Sequence, residues 1–319
     1  MDLRHLRYFV AVAEEGHITR AAGRLGIQQP PLSQQIQGLE RELEVQLLRR
    51  LPRGVELTAA GEALLAEART ILGRVEEARL AVKRAARGET GRVGIGFTSS
   101  ASFHPLVPRA IRAFRERHPL VAVSLEESGT GELVEAIRVG RIDAAFVRSP
   151  IAAAAEIAVH SLLAEDMVAV LPAGHPLAGA PDAPPLALDQ LAAETFILYR
   201  RPLGPGLYDA IIAACQRAGF NPQIGQEAPR MLATLSLVAA GLGATVVPES
   251  MRRLQVDGLA YRRIDQAARL VAPLNLACRR TETAPAARGF VALAWGVASD
   301  QGIGNSIAAP DLPAAKVSG

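Results

Sequence analysis

Cysteine is nearly absent from this chain of 319 residues: Cys215 and Cys278 are the only two. Two thiols cannot build a disulfide framework, so both are expected as small buried hydrophobes in a reducing compartment, the cytoplasm. Aromatic residues make up 4% of the sequence, and neither sign of charge prevails, the formal net charge being +3. So mild a positive balance permits a polyanionic partner without demanding one. No apolar run reaches membrane length unbroken. The longest, Met231 to Pro248, is interrupted by Thr234, Ser236, Gly241 and Gly243, and reads as helix, turn and buried strand. The first residues, Met1-Asp2-Leu3-Arg4-His5, are charged and unlike a secretion signal, so no membrane partner is expected. Also missing are the G-x-x-x-x-G-K-S/T phosphate loop, the H-E-x-x-H zinc pair and the G-x-S-x-G nucleophile elbow. The 6 histidines (His5, His17, His104, His118, His160, His175) are scattered without metal-ligand spacing. No catalytic residue, metal or cofactor is expected.

What is present is globular. Hydrophobic residues are 49% and charged ones 21%, enough for two or three domains with separate cores. In residues 1–58, Leu3, Leu6, Phe9, Val10 and Ala13 recur at helical spacing. A second helix, Arg20-Ala21-Ala22-Gly23-Arg24-Leu25, carries small residues that let another helix approach. Gly26 ends it in the left-handed conformation a tight turn needs. Gln28-Gln29-Pro30-Pro31 then opens a third helix, with proline where the first turn has no hydrogen bonds to lose. Leu32, Ile36, Leu39 and Leu43 form its buried stripe and leave Gln29, Ser33, Gln34 and Gln37 facing outward. Amides and hydroxyls suit the reading of base edges, since one Gln side chain both donates and accepts. On a lone helix such a face would be merely solvated. After a small-residue helix and a glycine turn it stands in the recognition position of a helix-turn-helix. Two short extended runs around Pro52-Arg53-Gly54 predict a β-wing, with Arg49, Arg50 and Arg53 near the phosphate backbone. Thr19, just before the second helix, joins the DNA-facing set.

The run from Leu6-Arg7-Tyr8-Phe9 through Ala21-Ala22, Leu25, Gln29-Pro30-Pro31-Leu32-Ser33, Ile36, Leu39-Glu40 and Leu43 to Arg53-Gly54-Val55-Glu56-Leu57-Thr58-Ala59-Ala60-Gly61 strongly resembles the LysR-type transcriptional regulators. The resemblance implies that Gln29, Pro30, Pro31, Ser33 and Gln34 enter or border the major groove and that Arg53 supports the wing. The sequence departs from the family at Gln28, where Ser is frequent, and at Gln34, where a basic residue is frequent.

From Ala59 to Arg87 there is no proline. Leu64, Ala68, Ile71, Val75, Ala78 and Val82 step by 4, 3, 4, 3 and 4, a heptad seam on a helix ~40 Å long. A narrow stripe on a helix between two domains predicts pairing with a second copy, and hence a dyad-symmetric DNA site. Family resemblance implies the same homodimer, a homotetramer built from it, and contact with RNA polymerase. Gly88-Glu89-Thr90-Gly91 is expected to end the helix as a hinge.

Beyond the hinge, strands and helices alternate, which predicts a mostly parallel sheet in two lobes joined by two crossovers. The expected architecture is α/β overall. A winged helix-turn-helix covers 1–58, a linker helix and hinge 59–90, and a two-lobed α/β effector domain 91–300. Lobe I takes about 91–161 and 270–300, lobe II about 162–269, and 301–319 form a disordered tail. Ligands prefer clefts between such lobes. Thr98-Ser99-Ser100 after one strand and Ser128-Gly129-Thr130 after the next each precede a helix, where hydroxyls and free N–H groups favour an anion. Arg148 ends a third strand, and Arg200-Arg201-Pro202 follows a strand of the other lobe. Singly, the hydroxyl runs read first as helix caps and the arginines equally as surface charge; together they predict a small carboxylate ligand, and two such niches would suit a dicarboxylate. By resemblance, the effector domain is similar to periplasmic solute-binding proteins. Ser99 and Thr130 match positions that hold the inducer's carboxylate in regulators of aromatic-compound degradation, a subgroup that often has a basic residue at the position of Arg148. The resemblance also implies an activator that represses its own gene.

Three other classes fit the sequence less well. An enzyme lacks its motifs. A solute-transport component would not carry residues 1–58, and a purely architectural DNA-binding protein would not need residues 91–300.

Overall fold

Asp2 starts the first helix. Its carboxylate accepts the His5 backbone N–H at 2.9 Å while His5 Nδ1 accepts the Asp2 N–H at 3.2 Å, a reciprocal cap at the head of α1 (Leu3–Glu15). The computed structural model describes residues 1–148, 151, 155–180 and 183–299; the expected tail, 301–319, lies outside them. Contacts divide the chain into two units, Met1–Arg84 and a second from Ala85 onward.

In the first unit α2 (Ile18–Leu25) stops at Gly26, whose φ of +68° lets its N–H return to the carbonyls of Ala22 and Gly23. Then follow α3 (Gln29–Leu43), β1 (Leu48–Leu51) and β2 (Gly54–Leu57), the strands pairing as an antiparallel hairpin. Phe9, Val12, Leu32, Ile36, Leu39 and Leu47 are buried together, each contributing about 1.5–3 kcal/mol by leaving water. Glu40 ties α3 to the hairpin by accepting the N–H groups of Leu47 at 2.9 Å and Leu48 at 3.1 Å. At Gly54, φ is +129° and a Cβ would come within 2.4 Å of the Gly16 carbonyl oxygen. That oxygen accepts the Val55 N–H at 2.9 Å, so glycine is what lets the wing sit against the turn after α1. Helix α4 (Ala59–Ala86) follows. Thr58 precedes it, accepting the Gly61 N–H at 3.1 Å as a helix cap.

The second unit begins with β3 (Gly91–Phe97), α5 (Ser99–Ser102), α6 (Leu106–Arg117), β4 (Val121–Glu127), α7 (Thr130–Arg138) and β5 (Ala144–Val147). Then come β6 (Ile157–Pro172), β7 (Thr195–Tyr199), α8 (Pro205–Arg217), β8 (Gln223–Ala228), α9 (Met231–Ala239), β9 (Thr245–Pro248) and β10 (Leu259–Arg263). Strand β11 (Val271–Arg279) and helix α10 (Pro285–Ser299) complete it. Strand β3 lies parallel between β4 and β5, and β11 runs antiparallel to both β5 and β6. The sheet is therefore mixed rather than mostly parallel.

Strand β6 is one strand of 16 residues, of which the last part, Met167–Leu171, is the longest continuous apolar run. Its first part pairs with β11 in lobe I, and its last residues pair with β9 and β10 in lobe II. β7 and β8 are parallel, and reciprocal bonds of 2.8 Å between the 195–197 segment and Ala244 attach them beside β9. Lobe I packs Phe114, Phe146 and Phe290 edge to face at 5.4 and 6.1 Å. Lobe II closes around Phe196, Leu198, Ile211 and Leu235. No helix among the described residues is long and apolar enough to cross a membrane.

Candidate functional site

In the first unit Thr19, Gln29, Pro30, Pro31, Gln34, Gln37, Arg50 and Arg53 are exposed and Ser33 is half-buried. The α3 residues among them stay outside because the helix buries only one stripe, Leu32, Ile36 and Leu39. The wing lies close to the helix: Arg50 donates to Ser33 Oγ at 3.5 Å. Arg50 of the hairpin thus adjoins the polar face of α3.

Helix α4 divides along its length. Ala68 is fully buried and Leu64 packs on the first unit's core, so these two seam positions are closed off within their own chain. The reason is proximity, since they lie on the turns nearest the hairpin. Farther along, Ala78 is exposed, as are Ile71 at 37% and Val82 at 71%; Val75 is half-buried.

In the second unit a cavity of about 120 Å³ opens between the lobes. Lobe I contributes two strand-to-helix junctions. After β3 come Thr98, Ser99 and Ser100; after β4 come Ser128, Gly129 and Thr130, with Glu127 and Glu132 beside them. Neither α5 nor α7 is capped by a side chain, so the hydroxyls expected at those starts are not spent on capping. Thr98 is 7% exposed and Thr130 5%, and neither Oγ1 has a hydrogen-bond partner. At Gly129 a Cβ would stand 3.1 Å from the Leu203 carbonyl oxygen, so the bare backbone lets lobe II come close.

Arg148, at the end of β5, is 2% exposed. It pairs with Glu165 of β6 at 2.5 Å and donates to the Ser100 carbonyl at 3.2 Å, while its Nε has no partner. Burial lowers its pKa and Glu165 opposes that shift. Glu165 in turn accepts the Ser250 N–H at 2.6 Å and its hydroxyl at 3.0 Å. His104 lies outside this cavity and lines a separate open one with Glu165; its pKa is lowered, mainly by burial.

Lobe II supplies different residues from those expected. Arg200, Arg201 and Pro202 do not line the cavity. A 3-10 turn, Arg201–Leu203, carries the arginines outward, where Arg201 makes a two-point pair with Asp209 at 2.7 and 2.9 Å. The wall is built instead by Tyr199, Leu203, Gly204, Leu207, Arg230 and Met231. Arg230 reaches across the mouth to Glu127 at 2.6 Å. Arg230 and Met231 stand where β8 gives way to α9, so the strand-end rule that singled out Thr130 would have found them too. Among the described residues no cluster of His, Cys, Asp and Glu could hold a metal.

Comparison with known proteins covers both units. Residues 3–62 match the bacterial regulatory helix-turn-helix protein, lysR family, and residues 86–298 match the LysR substrate binding domain. The transcriptional regulator BudR of Raoultella terrigena is 39% identical over 91% of this chain and 99% of its own length. The regulator CbnR, solved full-length with its target DNA, superposes with a TM-score of 0.79 at 31% identity, covering 93% of this chain and 100% of that one. BenM of Acinetobacter baylyi is 39% identical over 82% of this chain and 84% of its own length. Its effector binding domain, solved with its effector benzoate, gives a TM-score of 0.59 at 29% identity over 67% of this chain and 94% of that one.

Proposed function

The chain belongs to the LysR family of bacterial transcriptional regulators, and on that premise we propose how its two units divide the work. In the first, α3 presents Gln29, Ser33, Gln34 and Gln37 to base edges in the major groove, bordered by Thr19, Pro30 and Pro31. Arg50 and Arg53 hold phosphates and add affinity without sequence preference. The exposed stretch of α4, with Ile71, Val75, Ala78 and Val82, pairs with a second copy. Two recognition helices then meet a dyad-symmetric site, and two dimers form a tetramer that acts with RNA polymerase. All of this takes place in the cytoplasm.

The second unit senses a small carboxylate, of the kind produced in aromatic-compound degradation, in the cleft between its lobes. One observation carries this reading: Thr98 Oγ1, Thr130 Oγ1 and Arg148 Nε are buried, without partners, and line the same cavity. Each buried polar group left unmade costs about 1–3 kcal/mol, and an anion accepting from all three removes that penalty. BenM with benzoate and the family resemblance support the same class of ligand. Binding favours one arrangement of the lobes over the other, which re-spaces the paired helices on DNA. The expected outcome is activation of a neighbouring promoter together with repression of the protein's own gene.

The test is a thermal-shift screen of the full chain against aromatic acids, aliphatic acids and amino acids. At a hundredfold over its Kd a ligand stabilises by about 2.7 kcal/mol. Thr98→Val and Thr130→Val should erase that shift. A screen in which no carboxylate raises the melting temperature would overturn the assignment.

A further inference from the structure

The two walls of the cleft differ in kind. Lobe I offers the unpartnered groups, Thr98 Oγ1, Thr130 Oγ1 and Arg148 Nε. Lobe II offers apolar surface: Leu207 is 2% exposed, Met231 5%, and Tyr199 has its hydroxyl occupied by the Gly204 carbonyl at 2.7 Å, leaving the ring. A ligand fitting both walls has one polar end and one apolar end.

Charge at the mouth points the same way. The charged residues that line the cavity are Glu127, Glu132, Arg148 and Arg230. Arg148 already carries Glu165 at 2.5 Å and Arg230 carries Glu127 at 2.6 Å. Glu132 accepts the Ser128 hydroxyl, a bond that holds its carboxyl below the usual range and keeps it charged at neutral pH. The arginines of the 3-10 turn, which could have received a second anion, lie outside. A first carboxylate therefore finds free donors, and a second finds Glu132.

We infer that the cleft selects a monocarboxylate with an apolar body and rejects dicarboxylates, and that Glu127 and Glu132 make the distinction. This rests on the carboxylate reading of the cleft given above and narrows it. The volume, about 120 Å³, is close to the ~150 Å³ of a cavity that holds a benzene ring, so the body is a single ring or a short branched chain. Glu132 acts by repulsion across the mouth. Glu127 acts by keeping Arg230 occupied, which denies a distal carboxylate its only nearby cation among the described lining residues.

The experiment is isothermal titration calorimetry on the full chain with two matched pairs, butyrate with succinate and benzoate with terephthalate. In the wild type the monocarboxylate of whichever pair binds should be tighter by about tenfold, the scale of one unscreened charge repulsion at a partly wet site. Glu132→Gln should narrow that ratio severalfold, and Glu127→Gln with Glu132→Gln should narrow it further by freeing Arg230. Both side chains face solvent, so the variants should melt as the wild type does. A dicarboxylate that binds the wild type as tightly as its partner, or a ratio unmoved in both variants, overturns the inference while leaving a carboxylate site intact. If none of the four acids binds and the thermal-shift screen finds no carboxylate, the carboxylate reading falls and this inference falls with it.

Discussion

The DNA-facing helix and the effector cleft are both polar sites, yet they are built in opposite ways. On α3 the polar side chains are exposed or, at Ser33, half-buried; they lie within nine positions of one another and cost the fold nothing, because water reaches them. In the cleft the polar atoms come from strand ends far apart in sequence, and three are buried with no partner. The first site is a surface left over from packing. The second is a gap in the hydrogen-bonding of the core, held in place by the rest of lobe I. Substitutions should therefore separate function from stability on α3 and entangle the two in the cleft.

The largest effect is expected at Arg148. Arg148→Met leaves Glu165, 11% exposed, as a buried charge without its partner, which costs about 3–5 kcal/mol. Urea unfolding of the effector unit should show it, and the pair Arg148→Met with Glu165→Leu should recover most of the loss. Next comes Gln29→Ala, which should reduce discrimination between preferred and scrambled duplexes by about 1–3 kcal/mol, measured by competition binding, with an unchanged melting temperature. A lowered melting temperature there would break the contrast between the sites. Smaller still, Thr130→Val removes an unpartnered hydroxyl. The ligand-free protein should be as stable as the wild type, or more stable by up to about 1 kcal/mol, while the carboxylate-induced shift disappears.

The least effect is one of pH. Burial lowers the pKa of both His104 and His160 from 6.5. Below that value the unfolded chain binds protons that the folded one resists, so stability is full above about pH 6.5 and falls as the pH drops. Melting curves from pH 8 to pH 5.5 should show the decline, and His160→Gln should flatten it.

The same contrast decides what could be read from sequence. Helices α1 to α3 were legible because each buries one stripe at helical spacing and the turns carry glycine or proline, and α4 because its apolar stripe repeats along a run without proline. The lobe I half of the cleft was legible because a hydroxyl run between a strand and a helix has few other uses. Arg200 and Arg201 misled because the short 3-10 turn after β7, which reverses their direction, leaves no periodic trace. Strand β6 was only half visible. Its first ten residues include His160, Ser161, Glu165 and Asp166, polar positions tolerated where one face is open, and these blur the alternation that marks a strand. Strand β10, Leu259–Arg263, is arginine-rich and half-buried and escaped for the same reason. Leu64 and Ala68 fit the heptad stripe of α4 although their own chain covers them, because such a stripe looks alike whether a second copy or the chain's own core covers it.

Strand β6 has one more consequence. Asp166 on β6 and Val271 on β11 are register partners, so the chain departs into lobe II and returns from it at a single point. Lobe II is thus a long detour inserted into one antiparallel hairpin. A tight turn spliced in place of residues 167–270 would leave the hairpin of lobe I closed and its sheet order intact. The same junction would accept a foreign lobe with its ends equally close together. In evolution or in the laboratory, a regulator of this plan can exchange half of its sensor as a cassette while keeping the half that carries Thr98, Thr130 and Arg148.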